Sequence, residues 1–121
     1  MAAEKILVVD DEQSMTQFLG IVLRKDGFQV STVNSGRDAL DKIRTEPFDV
    51  VISDIKMPGM DGIQLLQSIK KHDPNIPVVL MTAYASQQTA IDAVNLGAFQ
   101  YLLKNAKNDE IRLAVRNALE M

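Results

Sequence analysis

Residues 50–62 read Val50-Val51-Ile52-Ser53-Asp54-Ile55-Lys56-Met57-Pro58-Gly59-Met60-Asp61-Gly62. A β-branched apolar run ends in a carboxylate and passes at once into two turn pairs, Pro58-Gly59 and Asp61-Gly62. A run that is apolar at both parities suits a strand covered on both faces of a parallel sheet. The pattern recurs on either side. Ile6-Leu7-Val8-Val9 runs into Asp10-Asp11-Glu12, and Val78-Val79-Leu80-Met81 runs into Thr82-Ala83. Phe28 to Val33 and Phe99 to Leu103 alternate more, as edge strands do.

Helical periods separate these runs. Met15, Phe18, Leu19, Val22 and Leu23 recur at helical spacing, and so do Ile111, Ala114, Val115, Ala118 and Leu119. Ser35–Thr45, Gly62–His72 and Gln87–Leu96 are shorter segments consistent with helices. Gly27 and Gly97 stand where a left-handed C-terminal residue is wanted, and Ser35 is a good N-cap. Pro47 and Pro74 close the second and third helices, and Lys70, Lys71 and His72 favour the dipole of the third. His72, the only histidine, has that helix-end role, and the six methionines read as core and loop filler. The result is (βα)5 from about residue 4 to residue 119, one domain over 1–121. Right-handed crossovers make it a doubly wound α/β fold, a flavodoxin-like three-layer sandwich with five parallel strands in the order 2-1-3-4-5.

Composition narrows the chemistry. The chain has 121 residues, 46% hydrophobic and 24% charged, which is globular rather than disordered. With no cysteine, thiolate metal sites, disulfides and Cys nucleophiles are excluded. A net charge of −3 argues against direct nucleic-acid binding. No apolar run approaches the ~20 residues a membrane helix needs, and Met1 to Lys5 has no signal-peptide pattern. A cytoplasmic location is the expectation.

In a doubly wound sheet, ligands bind beyond the carboxyl ends of the strands. Asp10, Asp11, Asp54, Thr82 and Lys104 all fall there. A single Asp after a strand is ordinarily a helix N-cap. Three together are harder to excuse, because two carboxylates ~5 Å apart at an effective dielectric near 20 repel by about 3 kcal/mol. Oxygen donors without His or Cys favour a hard cation such as Mg2+. A carboxylate there can also attack phosphorus, and the ammonium can neutralise the charge that develops.

The stretches ILVVDDE, DVVISDIKMPGMDG, PVVLMTA and GAFQYLLK, in that order, resemble the receiver domains of bacterial two-component response regulators. The segments around Met57–Gly62 and Gly97–Phe99 are most similar to receivers of nitrogen-regulator-type transcriptional activators. The resemblance implies that Asp54 is the phosphoacceptor and that Asp10 and Asp11 bind Mg2+, or Mn2+, with Asp54 and the Lys56 backbone carbonyl. It also implies that Thr82 and Tyr101 are switch residues and that Lys104 faces the phosphate. Lys56 and Tyr84 flank the site. The implied partners are a sensor histidine kinase or phosphotransfer protein and an effector domain or protein. Helix 4, strand 5 and helix 5 would form a phosphorylation-dependent homodimer or effector surface.

Rival readings are weaker. An aspartyl-phosphate phosphatase would have a second Asp where Lys56 stands, and a flavin carrier would want a Ser/Thr/Gly loop at Asp10-Asp11-Glu12. A pseudo-receiver, keeping the fold for partner binding alone, stays open because of one departure. Where the family has Lys-Pro, this chain has Lys104-Asn105. A cis bond before Asn would cost roughly 2.5–4 kcal/mol, so a trans bond is expected, with Lys104 poorly fixed before phosphorylation.

Overall fold

In the computed structural model, residues 3–83 and 87–120 are described. Five strands and five helices alternate: β1 (Lys5–Val9), α1 (Gln13–Lys25), β2 (Gln29–Val33), α2 (Gly36–Thr45), β3 (Val50–Asp54), α3 (Gly62–His72), β4 (Val78–Thr82), α4 (Gln87–Asn95), β5 (Gln100–Leu103) and α5 (Asn108–Leu119). The strands form one parallel sheet in the order β2-β1-β3-β4-β5, as the sequence predicts.

Strand parity sorts the core into two layers. Leu7, Val9, Val51 and Leu80 meet Ala39 and Ile43 of α2, Leu65 and Ile69 of α3, and Ala93 of α4. Ile6, Val8, Val50, Ile52 and Met81 meet Leu19 and Leu23 of α1, with Ile111, Ala114, Val115 and Ala118 of α5. Both faces of the central strands are therefore covered, which is why their runs are apolar at both parities up to the polar residues at their carboxyl ends. Each such side chain contributes roughly 1.5–3 kcal/mol on full burial. The edge strand β2 keeps two of its five residues exposed, which matches its alternation.

Register decides what the carboxyl edge holds. Val9 pairs with Ser53, so Asp10 and Asp54 follow on neighbouring strands at the same level. Both continue the parity of Val8 and Ile52, which is the α1/α5 face. Thr82 pairs with Leu103, and the Lys104 backbone N–H donates to the Thr82 carbonyl at 2.8 Å. At the last residues of β3 and β4, and one residue beyond β1 and β5, the chain therefore presents its polar groups together.

The predicted punctuation is in place. The Ser35 side chain accepts from the Asp38 N–H, and Gly27 and Gly97 have φ of 90° and 93° at the ends of α1 and α4. The Asp61-Gly62 pair differs from its sequence reading. Of the two turn pairs after β3, only Gly59 has a positive φ, at 76°. Asp61 is instead the N-cap of α3 in a capping box with Gln64, and Gly62 packs directly on β3. Its N–H donates to the Ile55 carbonyl at 2.7 Å, and a Cβ there would stand 2.7 Å from the Ile55 Cα. The glycine is required by close approach to the backbone that carries Asp54.

Gly62→Ala should therefore destabilise the protein by about 1–3 kcal/mol, the usual cost of overpacking against atoms that cannot move aside. Urea midpoints at constant m-value check this. An unchanged midpoint would mean that α3 slides away from β3 without penalty.

Candidate functional site

At the carboxyl edge Asp10 and Asp54 are almost completely buried, with side chains 3% and 5% exposed. Asp10 is tied down on three sides. Its Oδ1 accepts from the Glu12 N–H at 2.9 Å, its carbonyl accepts from Asn34 Nδ2 at 2.8 Å, and its own N–H donates to the Val33 carbonyl. Asp54 accepts from the Lys56 backbone N–H. Between them lies Lys104, whose Nζ is 3.0 Å from both Asp10 Oδ2 and Asp54 Oδ2 and 3.1 Å from Glu12 Oε1. All three ammonium donors thus have a carboxylate within reach. Thr82 is buried beside them, and Asp11 is exposed at the rim.

A cleft of about 200 Å3 opens here, lined by Asp11, Glu12, Asp54, Lys56, Thr82 and Lys104 among others. A larger groove of about 670 Å3 runs along α3 past Met60, Gln67 and Leu96; its charged lining is Lys70 and Lys71, with no carboxylate. Oxygens of Asp10, Asp11 and Asp54 lie within 4.8 Å of one another, an all-oxygen donor set that fits a hard divalent cation.

The response regulator receiver domain family matches residues 6–116. The chain belongs to that family. It is 46% identical over 114 residues to the transcriptional regulatory protein ZraR of Klebsiella oxytoca, an alignment covering 94% of this chain and 26% of that one. It is 42% identical over 120 residues to the regulatory protein AtoC of Escherichia coli, covering 99% and 26%. The receiver thus spans about a quarter of the length of these relatives. Among solved structures, a receiver domain from Clostridium thermocellum superposes with a TM-score of 0.90 at 36% identity, covering 97% of this chain and 94% of that one. The beryllofluoride-activated NtrC4 receiver domain dimer gives 0.92 at 34%, covering 96% of each.

Most residues named from the sequence meet in this receiver's cleft. Asp10, Asp11, Asp54, Thr82, Lys56 and Lys104 do, whereas Tyr101 stands half-buried on β5 against the α2/α3/α4 layer. Tyr84 lies outside the described residues. The Lys104–Asn105 bond is trans, as expected. The expected looseness of Lys104 is not found. Three ion pairs hold the ammonium, and the Lys104 N–H on Thr82 fixes the start of the stem. The sequence reading also gave no role to Glu12 or Asn34. Glu12 had a signal, being the third acid of Asp10-Asp11-Glu12 where β1 passes into α1.

Charge burial, more than mutual repulsion, sets the electrostatics. Desolvation pushes the Asp54 carboxyl up to about 6; the Lys104 hydrogen bond opposes this and the Asp10 charge adds to it. Asp10 is also raised, chiefly by burial, against the Glu12 N–H and Lys104. Burial alone would lower the Lys104 ammonium, but its bonds to Asp10, Asp54 and Glu12 raise it instead.

A carboxyl raised on folding opposes stability at neutral pH and ceases to do so as pH falls through its folded value. Without divalent metal, the receiver should gain about 1 kcal/mol between pH 7.5 and pH 5, from the Asp54 shift alone at ~1.4 kcal/mol per unit. Glu46 is lowered and acts in the opposite sense, but only at pH values below this window. Asp54→Asn should be more stable than wild type by about 1–3 kcal/mol at pH 7.5 and lose most of that pH dependence. Parallel pH profiles of the two proteins in chemical denaturation would refute the assignment.

Proposed function

We propose that Asp54 accepts a phosphoryl group from a phosphohistidine of a sensor histidine kinase or phosphotransfer protein. One Asp54 oxygen forms the new P–O bond as the N–P bond breaks, and the electron pair leaves with the imidazole nitrogen. The observation that carries this reading is the Lys104 ammonium, 3.0 Å from Asp54 Oδ2 at the back of an open cleft. It stands ready to neutralise charge on an incoming phosphoryl oxygen. Asp10, Asp11, Asp54 and the Lys56 carbonyl would hold Mg2+ or Mn2+, which supplies further positive charge at the phosphoryl oxygens. Lys56 at the cleft rim, and Tyr84, would govern access to the phosphate.

The Thr82 hydroxyl would donate to the phosphoryl group once it is present, and Tyr101 would follow on β5. The surface affected, α4-β5-α5, carries the exposed apolar side chains Ile91, Val94, Leu103 and Leu113. A homodimer or an effector domain or protein would bind there, as in signalling to transcription. Direct contact with nucleic acid is not part of this role. The setting is cytoplasmic, consistent with a chain in which no described helix is long and apolar enough to cross a membrane. The only enzyme-like step is the receiver's own phosphorylation and dephosphorylation. A pseudo-receiver would have no need of three acids, a hydroxyl and an ammonium assembled at one point.

Intact mass after incubation with acetyl phosphate tests this. One phosphoryl group should be added with Mg2+ or Mn2+, with little added under chelation and none in Asp54→Ala. Full modification of Asp54→Ala would refute the proposal. Thr82→Ala should still be phosphorylated but lose most phosphorylation-dependent association, read by sedimentation. Undiminished association in that variant would route the switch elsewhere.

A further inference from the structure

Glu12 is the N-cap residue of α1, yet its side chain makes no bond to the helix's free N–H groups. It turns instead to Lys104, with Oε1 3.1 Å from Nζ. This carboxylate is 64% exposed, whereas the other two partners of the ammonium are buried. Lys104 therefore has one foot at the solvent edge and two inside. The inner two, Asp10 and Asp54, are also two of the three carboxylates placed to hold a divalent cation. An ammonium and a divalent cation cannot share them without strong repulsion. When a cation enters, Lys104 must give up part of its hold on Asp10 and Asp54. Its flexible four-carbon stem permits that displacement, but a charge with no remaining partner would resist it.

We infer that Glu12 is a positioning residue that retains Lys104 at the rim of the cleft while a divalent cation occupies Asp10, Asp11 and Asp54. This rests on the cation-dependent reading above and adds to it a residue that acts only through the lysine. Glu12 lets one site alternate between two positive occupants. The ammonium neutralises the buried acids when the cation is absent, and it stays near the cleft when the cation is present.

A double-mutant cycle separates this role from a simple field effect. Mg2+ titrations at fixed ionic strength, followed by backbone amide shifts, would compare wild type, Glu12→Gln, Lys104→Met and the double variant. With Lys104 present, Glu12→Gln should weaken Mg2+ binding by about three- to tenfold; with Lys104→Met it should change binding less than about twofold. Equal weakening in both backgrounds, or none in either, would overturn the inference. A readout that needs no Lys104 variant is the mobility of the Lys104 13Cε–1H group at saturating Mg2+. It should stay restricted in wild type and become averaged in Glu12→Gln, and identical mobility would also overturn the inference. Failure of wild type itself to bind Mg2+ would instead remove the cation-dependent reading on which the inference stands.

Discussion

Two carboxylates are buried at the end of a parallel sheet, and one ammonium from the last strand is set between them. The rest of the site depends on that constraint. Burying a charged group costs several kcal/mol unless partners compensate, and removing one partner of a buried set costs more than the set is worth as a whole. Asp10 and Asp54 are held by the register of β1 and β3, and Lys104 is brought to them by β5 pairing with β4. No local sequence preference could do this. The ion pairs are between residues 94 and 50 positions apart in the chain, so the site forms only when the sheet is complete.

The same arrangement gives the site its chemistry. A carboxyl raised to about 6 by desolvation is poised to be relieved by anything that brings positive charge or replaces its own charge with a better-solvated one. A cation would do the first, and the proposed phosphoryl group, drawn to Lys104, would do the second in part. The energy stored in burying Asp54 is thus available to bias binding at the cleft, and β5 carries Tyr101 and leads directly into Lys104. The backbone beside Asp54 is closely packed: Gly62 lies against β3, and the Asp61–Gln64 capping box closes the start of α3.

The fold was legible because coverage on both faces leaves a plain mark. Val50-Val51-Ile52 and Val78-Val79-Leu80-Met81 are apolar at both parities, which only an interior parallel strand tolerates. The acids were legible because they end the runs at residues 6–9 and 50–53. Other features depend on distances that spacing does not reveal. Gly62 reads as a turn glycine until its approach to Ile55 is seen. Asn105 suggests a loose lysine, but Lys104 is held from its far end by Asp10, Glu12 and Asp54, whatever follows it in the chain. Repulsion among the acids was the expected strain, yet Lys104 cancels much of it and burial leads. Glu12 looked like one more acid at a helix start because its partner is 92 residues away.

Lys104 is what makes the buried Asp54 carboxylate tolerable. The most direct test is the titration of the Asp54 side-chain 13C carboxyl signal, without divalent metal, in wild type and Lys104→Met. Asp54 should titrate above the ordinary aspartate range in wild type and higher still in Lys104→Met, where burial and the Asp10 charge act unopposed by the ammonium. An Asp54 titration that is unmoved or lowered by loss of Lys104 would mean that the ammonium does not stabilise the buried carboxylate.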